Sequence, residues 1–120
     1  MTKEEFKART KKFALDIVRL YTLLPKNRPN EKFFDQLIRC SSSVRANYRA
    51  ACRAKSTADF IYKLKIVEEE GDESVFFLEL LKELNEAKYT EQIVNLIKEG
   101  NEIVAITVSS IKTAQKNRKS

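Results

Sequence analysis

Two groups of residues in this 120-residue chain are of types that could do chemistry. The first is acidic. Glu68, Glu69, Glu70, Asp72 and Glu73 crowd into one short stretch, enough carboxylate to hold a hard cation if the oxygens converged. On a helix most of them do not converge, because successive side chains turn about 100° around the axis. Glu70 and Glu73 are the exception. They lie three apart, share a face, and sit between Ile66 and Phe77 on an apolar stripe. A carboxylate on such a stripe needs a partner, and Arg45 and Asn47, which flank core positions of the preceding segment, are the expected ones. A structural network of Arg45, Asn47, Glu70 and Glu73 is favoured over a ligand or catalytic site.

The second group is basic: Arg39, Arg45, Arg49 and Arg53, extended by Lys55. A guanidinium suits phosphate because its planar fork donates two hydrogen bonds at once. Arg49, Arg53 and Lys55 are therefore candidate contacts to RNA or DNA, and Lys112, Lys116, Arg118 and Lys119 near the C-terminus form a second candidate patch. Ion pairing between the arginine flank and the acidic run explains the same residues, and spacing alone leaves both readings open.

Several chemistries are excluded by what the chain lacks. There is no histidine, which removes His-dependent triads, the usual zinc sites and the Glu-x-x-His pattern of di-iron bundles. Gly71 and Gly100 are the only glycines, so no glycine-rich loop can cradle a phosphate. Cys40 and Cys52 fall on one predicted helix, about 18 Å apart, too far for a disulfide whose Cα atoms lie roughly 4.4–6.8 Å apart. No metal, cofactor or enzymatic activity is expected.

The elements that position these residues follow from apolar spacing. Phe6, Phe13, Ile17, Leu20 and Leu24 mark one helix face, and Pro25 and Pro29 are expected to end it, with Asn30 capping the next helix. Phe34, Leu37, Ser41, Val44, Tyr48 and Ala51 alternate at three and four, the a and d pattern of near-parallel bundle packing. The Ser41–Ser43 triplet is read as helix because the register continues on both sides. Ser56 and Asp59 have the form of a capping box, followed by Phe60, Leu64, Val67, Gly71, Ser74, Leu78 and Leu81. Gly71 and Ser74 are read as a small patch facing the serines. A second stripe of Ile66, Phe77, Leu80 and Leu84 makes this face too broad for one partner helix and is the expected oligomer interface. Thr90 is expected to cap a last helix, whose β-branched ITVSSI run would have no partner as a strand; its basic end is expected to fray. The result is an all-α, antiparallel up-down-up-down four-helix bundle, a single domain with helices near residues 3–24, 31–54, 57–86 and 91–115.

Charge is unevenly divided among these segments. Residues 1–30, 31–56, 57–87 and 88–120 carry net +5, +4, −6 and +3, one acidic helix among basic neighbours. Such a division sets helix register, and it also makes a surface that can hold a polyanion. No apolar run approaches the ~20 residues of a membrane span, and the charged MTKEEFKARTKK stretch, which lacks an apolar core, is not expected to act as a secretory signal. A cytoplasmic protein is expected.

From Ser43 to Leu81 the order of motifs resembles a known family. Ser43 and Asn47 form a Ser-x-x-x-Asn turn, followed by Lys55-Ser56, Asp59-Phe60, Glu69 or Glu70, Asp72-Glu73 and Leu78-Glu79-Leu80-Leu81. This resembles the small bacterial four-helix-bundle proteins encoded in intervening sequences of 23S rRNA genes, a family related to the accessory protein of diversity-generating retroelements. Two departures stand out. Arg45 replaces the common Gly, and Tyr48-Arg49-Ala50-Ala51 lacks the usual Glu, so the second helix is more basic. The resemblance implies a homo-oligomer, characteristically a pentamer, without enzymatic activity. For the retroelement relative it implies binding to nucleic acid and to a reverse transcriptase.

Overall fold

A computed structural model describes residues 1–119, Lys119 by its backbone alone. Four helices account for nearly all of it: α1 (Lys3–Leu23), α2 (Arg28–Ala51), α3 (Thr57–Leu84) and α4 (Thr90–Lys119), with a 3-10 turn over Ala87–Tyr89 leading into α4. The β-branched ITVSSI run lies within α4. Each helix packs on its neighbours in sequence, α4 closes back on α1, and diagonal pairs hardly touch. This is the up-down-up-down bundle that short connections favour, a rod about 51 Å long and 20 Å across. α3 is held along its length by both α2 and α4, whereas α1 leans chiefly on α2.

Local chemistry sets the helix ends. Thr2 Oγ1 accepts the Glu5 amide at 3.1 Å, and Ser56 Oγ accepts the Asp59 amide at 3.1 Å, each satisfying a donor the helix leaves open. The start of α2 differs from the expectation. Asn27, not Asn30, is its cap, the side chain accepting the Asn30 amide at 2.9 Å. Pro29 falls in the first turn, where its missing N–H costs nothing. The far end of α2 stops at Ala51 rather than residue 54 because the backbone tightens into three-residue bonds, Arg53 N to Ala50 O and Ala54 N to Ala51 O, both 3.0 Å. Thr90 does not cap α4; it is the first helical residue after the 3-10 turn. α4 continues past residue 115 to Lys119.

Because the cap lies at Asn27, Asn30 turns inward and is only 3% exposed. Its amide pairs reciprocally with that of Asn85, which ends α3. Asn30 Nδ2 donates to Asn85 Oδ1 at 2.9 Å, and Asn85 Nδ2 donates to Asn30 Oδ1 at 3.0 Å. The two amides also donate to Pro25 O at 2.9 Å and Leu81 O at 2.8 Å. A buried polar pair satisfied in this way adds stability instead of costing it. It ties the first loop, the start of α2 and the end of α3 together.

The predicted stripes form the core: Phe6 to Leu24 on α1, Phe34 to Ala51 on α2 and Leu64 to Leu81 on α3 are buried at every a and d position, while Phe60 is half-buried. Buried hydroxyls bond their own helices, as Thr10 Oγ1 does to Phe6 O at 3.1 Å and Thr107 Oγ1 to Ile103 O at 2.7 Å. α3 and α4 approach each other closely at two glycines. A Cβ at Gly71 would lie 2.9 Å from Val104 Cγ2, and one at Gly100 would lie 2.8 Å from Val75 Cγ2 and 3.3 Å from Phe13 Cζ. Of the small patch read on α3, Ser74 meets α2 by donating to Cys40 Sγ at 3.2 Å, and Gly71 lies against Val44 of α2, 4.0 Å from where its Cβ would stand.

Gly100→Ala tests this seam by its sign. At an open helical position the change would add about 1 kcal/mol of stability. Here overpacking costs about 1–3 kcal/mol, so the urea midpoint is expected to fall with an unchanged slope. A higher midpoint would show that the seam has room.

Candidate functional site

The acidic face of α3 is neutralised from α2 by one arginine. Arg39 Nη1 donates to Glu70 Oε2 at 3.1 Å, its Nη2 to Glu73 Oε1 at 2.9 Å, and its Nε to Gln36 Oε1 at 3.3 Å. The hydrogen bond to Glu73 and the charge of Glu70 raise the Arg39 pKa above its ordinary value. The expected partners, Arg45 and Asn47, are elsewhere. Asn47 Nδ2 donates to Ser43 O at 3.0 Å and Ser43 Oγ at 2.9 Å on its own helix. Arg45 lies six residues beyond Arg39, about 9 Å along α2 and roughly 240° around it. It therefore faces the start of α1 instead of α3.

That turn creates a groove. Lys3, Glu4 and Lys7 from the first turns of α1, and Arg45, Arg49, Cys52 and Arg53 from the end of α2, enclose about 520 Å³. Five cations face a single carboxylate, and Glu4 is engaged by Lys7 at 3.4 Å. Arg49 and Arg53 are exposed. Arg45 is half-buried, and its Nη1 is sealed from solvent with no hydrogen-bond partner among the described residues. A buried donor without an acceptor carries the full cost of its lost hydration, and this nitrogen is turned into the protein, away from the groove.

The remaining basic candidates collect at the same end of the bundle. Lys55 shares a neighbouring depression with Lys3, Cys52 and Phe60. Another depression joins Lys3 and Phe60 to Ser110, Thr113 and Asn117 of α4, which brings the last turns of α4, with exposed Lys112, Lys116 and Arg118, to the rim. The Lys119 side chain lies outside the described residues. Lys3 and Lys7 were not recognised in sequence. The readable signal was topological, because an up-down bundle sets the first turn of α1 beside the last turn of α2.

The two thiols differ. Cys40 is fully buried, and burial pushes its pKa up against the opposing hydrogen bond from Ser74. Cys52 is half-buried and lines the groove. Burial, followed by the neighbouring Cys52 thiol, raises the pKa of the Tyr48 phenol. No group of three or more Cys, Asp or Glu residues suited to a metal occurs among the described residues, and no described helix is long and apolar enough to cross a membrane.

The stripe expected to face another subunit divides. Ile66, Phe77 and Leu80 are half-buried and Leu84 is 56% exposed. Phe77 packs against Phe33 of α2, with ring centroids 6.2 Å apart. Phe76 beside it is 52% exposed, and Tyr62, about 22 Å back along α3, is 61% exposed. A second outward apolar set, Leu15, Val18 and Leu23, lies on α1. Because α1 and α3 are diagonal in the bundle, the two sets face opposite flanks.

Residues 3–109 match the model of the 23S rRNA-intervening sequence protein family. Among solved structures, the chain resembles a protein of unknown function from the S23 ribosomal protein family of Bacteroides thetaiotaomicron. The two are 35% identical, with a TM-score of 0.77 over 93% of this chain and 99% of the other. No curated protein matches.

Thiol labelling checks this end of the bundle. A raised pKa and full burial both lower thiolate reactivity, so the native protein is expected to take up one maleimide, at Cys52, and a second only in denaturant. Peptide mass mapping reads the site, and rapid modification of Cys40 in the native state would contradict the packing described.

Proposed function

The chain belongs to the family of 23S rRNA-intervening sequence proteins, and on that premise we propose that it is a non-enzymatic, oligomeric module that binds nucleic acid at the basic end of its bundle. One observation carries the reading. Arg39 alone answers the carboxylates Glu70 and Glu73, leaving Arg45, Arg49 and Arg53 without an ion pair among the described residues and gathered with Lys3 and Lys7. Interhelical charge balance, the competing account of the arginine flank, therefore does not explain these three. Phosphates do, through bidentate contacts at guanidinium groups and release of counterions from the strand.

Assembly without a nucleic-acid role is the second reading, favoured by the apolar sets on α1 and α3. Faces on opposite flanks suit a head-to-tail contact, and such contacts close into rings when the rotation permits. A pentamer is the expected closed form. In a ring, each basic end would recur around the axis and multiply phosphate contacts.

Two measurements separate the readings. Fluorescence anisotropy with a mixed-sequence single strand is expected to show binding at about 50 mM salt that falls steeply by about 200 mM. Joint Arg49→Gln and Arg53→Gln changes should flatten the salt slope by about 1.4 without altering the oligomer mass. An intact oligomer that binds nothing at the lower salt would leave the assembly reading in place. Light scattering is expected to give a multiple of the monomer mass at micromolar concentration, reduced by Phe76→Asp with helicity unchanged. Phe77→Asp should also destabilise the bundle, since that ring is packed on Phe33. A monomer mass for the unaltered protein would refute oligomerisation.

A further inference from the structure

We infer that the outer face of α1 in one copy of the chain docks on the outer face of α3 in the next, the two helices parallel and at one level. The inference rests on the oligomeric reading and goes beyond it by naming the two surfaces, their register and the charges that select them. Three contacts set the heights of α1 and α3 within one bundle. Lys3 Nζ lies 5.6 Å from the centre of the Phe60 ring. Phe13 and Val75 both reach the space over Gly100 of α4. Pro25 O accepts from the Asn30 amide, which is paired with Asn85. In each case a residue of α1 stands level with the α3 residue about sixty places further along the chain. Leu15 is therefore level with Phe76, and Leu23 with Leu84. These are outward apolar side chains of both helices, 44% and 54% exposed on α1 and 52% and 56% exposed on α3. Each pair spans eight residues, about 12 Å of helix.

Charge matches at the same levels. On α1, Lys11, Lys12 and Arg19 are exposed, and the one carboxylate among them, Asp16, is shared by Lys12 and Arg19. On α3, Glu69, Asp72, Glu79 and Glu83 are exposed and have no ion pair among the described residues. Lys11 stands level with Asp72, and Arg19 with Glu79. Two α1 faces brought together would oppose cation to cation, and two α3 faces carboxylate to carboxylate. Like charges so placed disfavour a two-fold contact. The head-to-tail contact pairs opposite signs instead. Direction agrees as well, because α1 and α3 run the same way in an up-down-up-down bundle. Rotation about an axis parallel to the bundle preserves both direction and level, and repeated it closes a ring. A neighbour placed by that rotation presents α3 to α1 with apolar residues on apolar residues and carboxylates on cations, without any slide along the helices.

The test is cross-linking of the full chain in a Cys52→Ser background, where the other thiol, Cys40, is buried. Thr22 and Glu83 are exposed, stand level with each other and lie at the edge of the joint. Thr22→Cys and Glu83→Cys chains, co-expressed and treated with a short bismaleimide, are expected to give a covalent dimer. Neither variant alone should do so. Thr22→Cys paired with Lys65→Cys should give none, because Lys65 lies about 27 Å lower on α3 than Glu83. Charge reversal supplies a second measurement. Lys11→Glu with Lys12→Glu should weaken assembly about tenfold, and so should Glu69→Lys with Asp72→Lys. All four changes in one chain should restore assembly to within about threefold, with helicity unchanged throughout. An intact oligomer without the Thr22–Glu83 cross-link would overturn the inference, as would a cross-link in either variant alone. Charge-reversed proteins that assemble normally, or that the combined reversal fails to rescue, would overturn it too. Each of those results leaves the oligomeric reading standing, since the unaltered protein still assembles. A monomer mass for the unaltered protein would remove both.

Discussion

The bundle depends on how closely α3 and α4 approach. Neither helix has a side chain where the other's valine arrives: Val104 fills the space over Gly71, and Val75 fills the space over Gly100. Both of the chain's glycines are used here, each inside a helix, each at a propensity cost of about 1 kcal/mol. Close packing of the two longest helices recovers that cost through dispersion contacts that a wider seam would lose. α2 then lies along the other side of α3, fixed in register at one end by the Asn30–Asn85 amide pair and midway by Arg39. α1 is added to this three-helix frame.

Register on α2 also decides what its arginines do. Arg39 is level with Glu70 and Glu73 and is occupied by them. Arg45 is still level with the acidic run, since its neighbour Val44 reaches Gly71, but it is turned toward α1; Arg49 and Arg53 lie past the run, because in an antiparallel pair each step toward the end of α2 is a step toward the start of α3. An acidic segment among basic ones therefore does not neutralise the molecule evenly. It leaves the half of α2 nearest the termini of α1 and α4 positively charged, and the groove lies there. The Arg9 side chain, bonded to Glu99 and 3.4 Å from Glu102, makes a comparable link between α1 and α4, so the cations of α1 also divide into occupied and open ones.

Much of this architecture was legible in the spacing of apolar residues. The three-and-four alternation marked the faces of four helices, and its continuity through Ser41–Ser43 outweighed the loop signal of three serines. Position within that architecture was harder to read. Asn27 and Asn30 are both plausible caps, and Pro29 is compatible with either, as a stop or as a first-turn residue. The choice is made by Asn85, 55 residues away. Arg45 was assigned to Glu70 and Glu73 because it flanks a core position. A flanking residue faces one neighbouring helix or the other according to the side of the stripe it lies on, and which helix stands on that side depends on the hand of the bundle, which spacing does not specify. Lys3 and Lys7 gave no local signal at all, since their significance comes from the helix they are set beside.

The uneven hold on α1 has a consequence for time as well as shape. A helix packed mainly against one neighbour is a natural candidate for the first cooperative unit to detach and redock while the rest of the fold persists. α1 contributes Lys3, Glu4 and Lys7 to the groove, so its walls have different lifetimes: the α2 side endures as long as the frame, and the α1 side only as long as one docked helix. A nucleic-acid strand held there would in turn hold α1 down. Occupancy of the groove and protection of α1 amides from hydrogen exchange are thereby two readings of a single equilibrium.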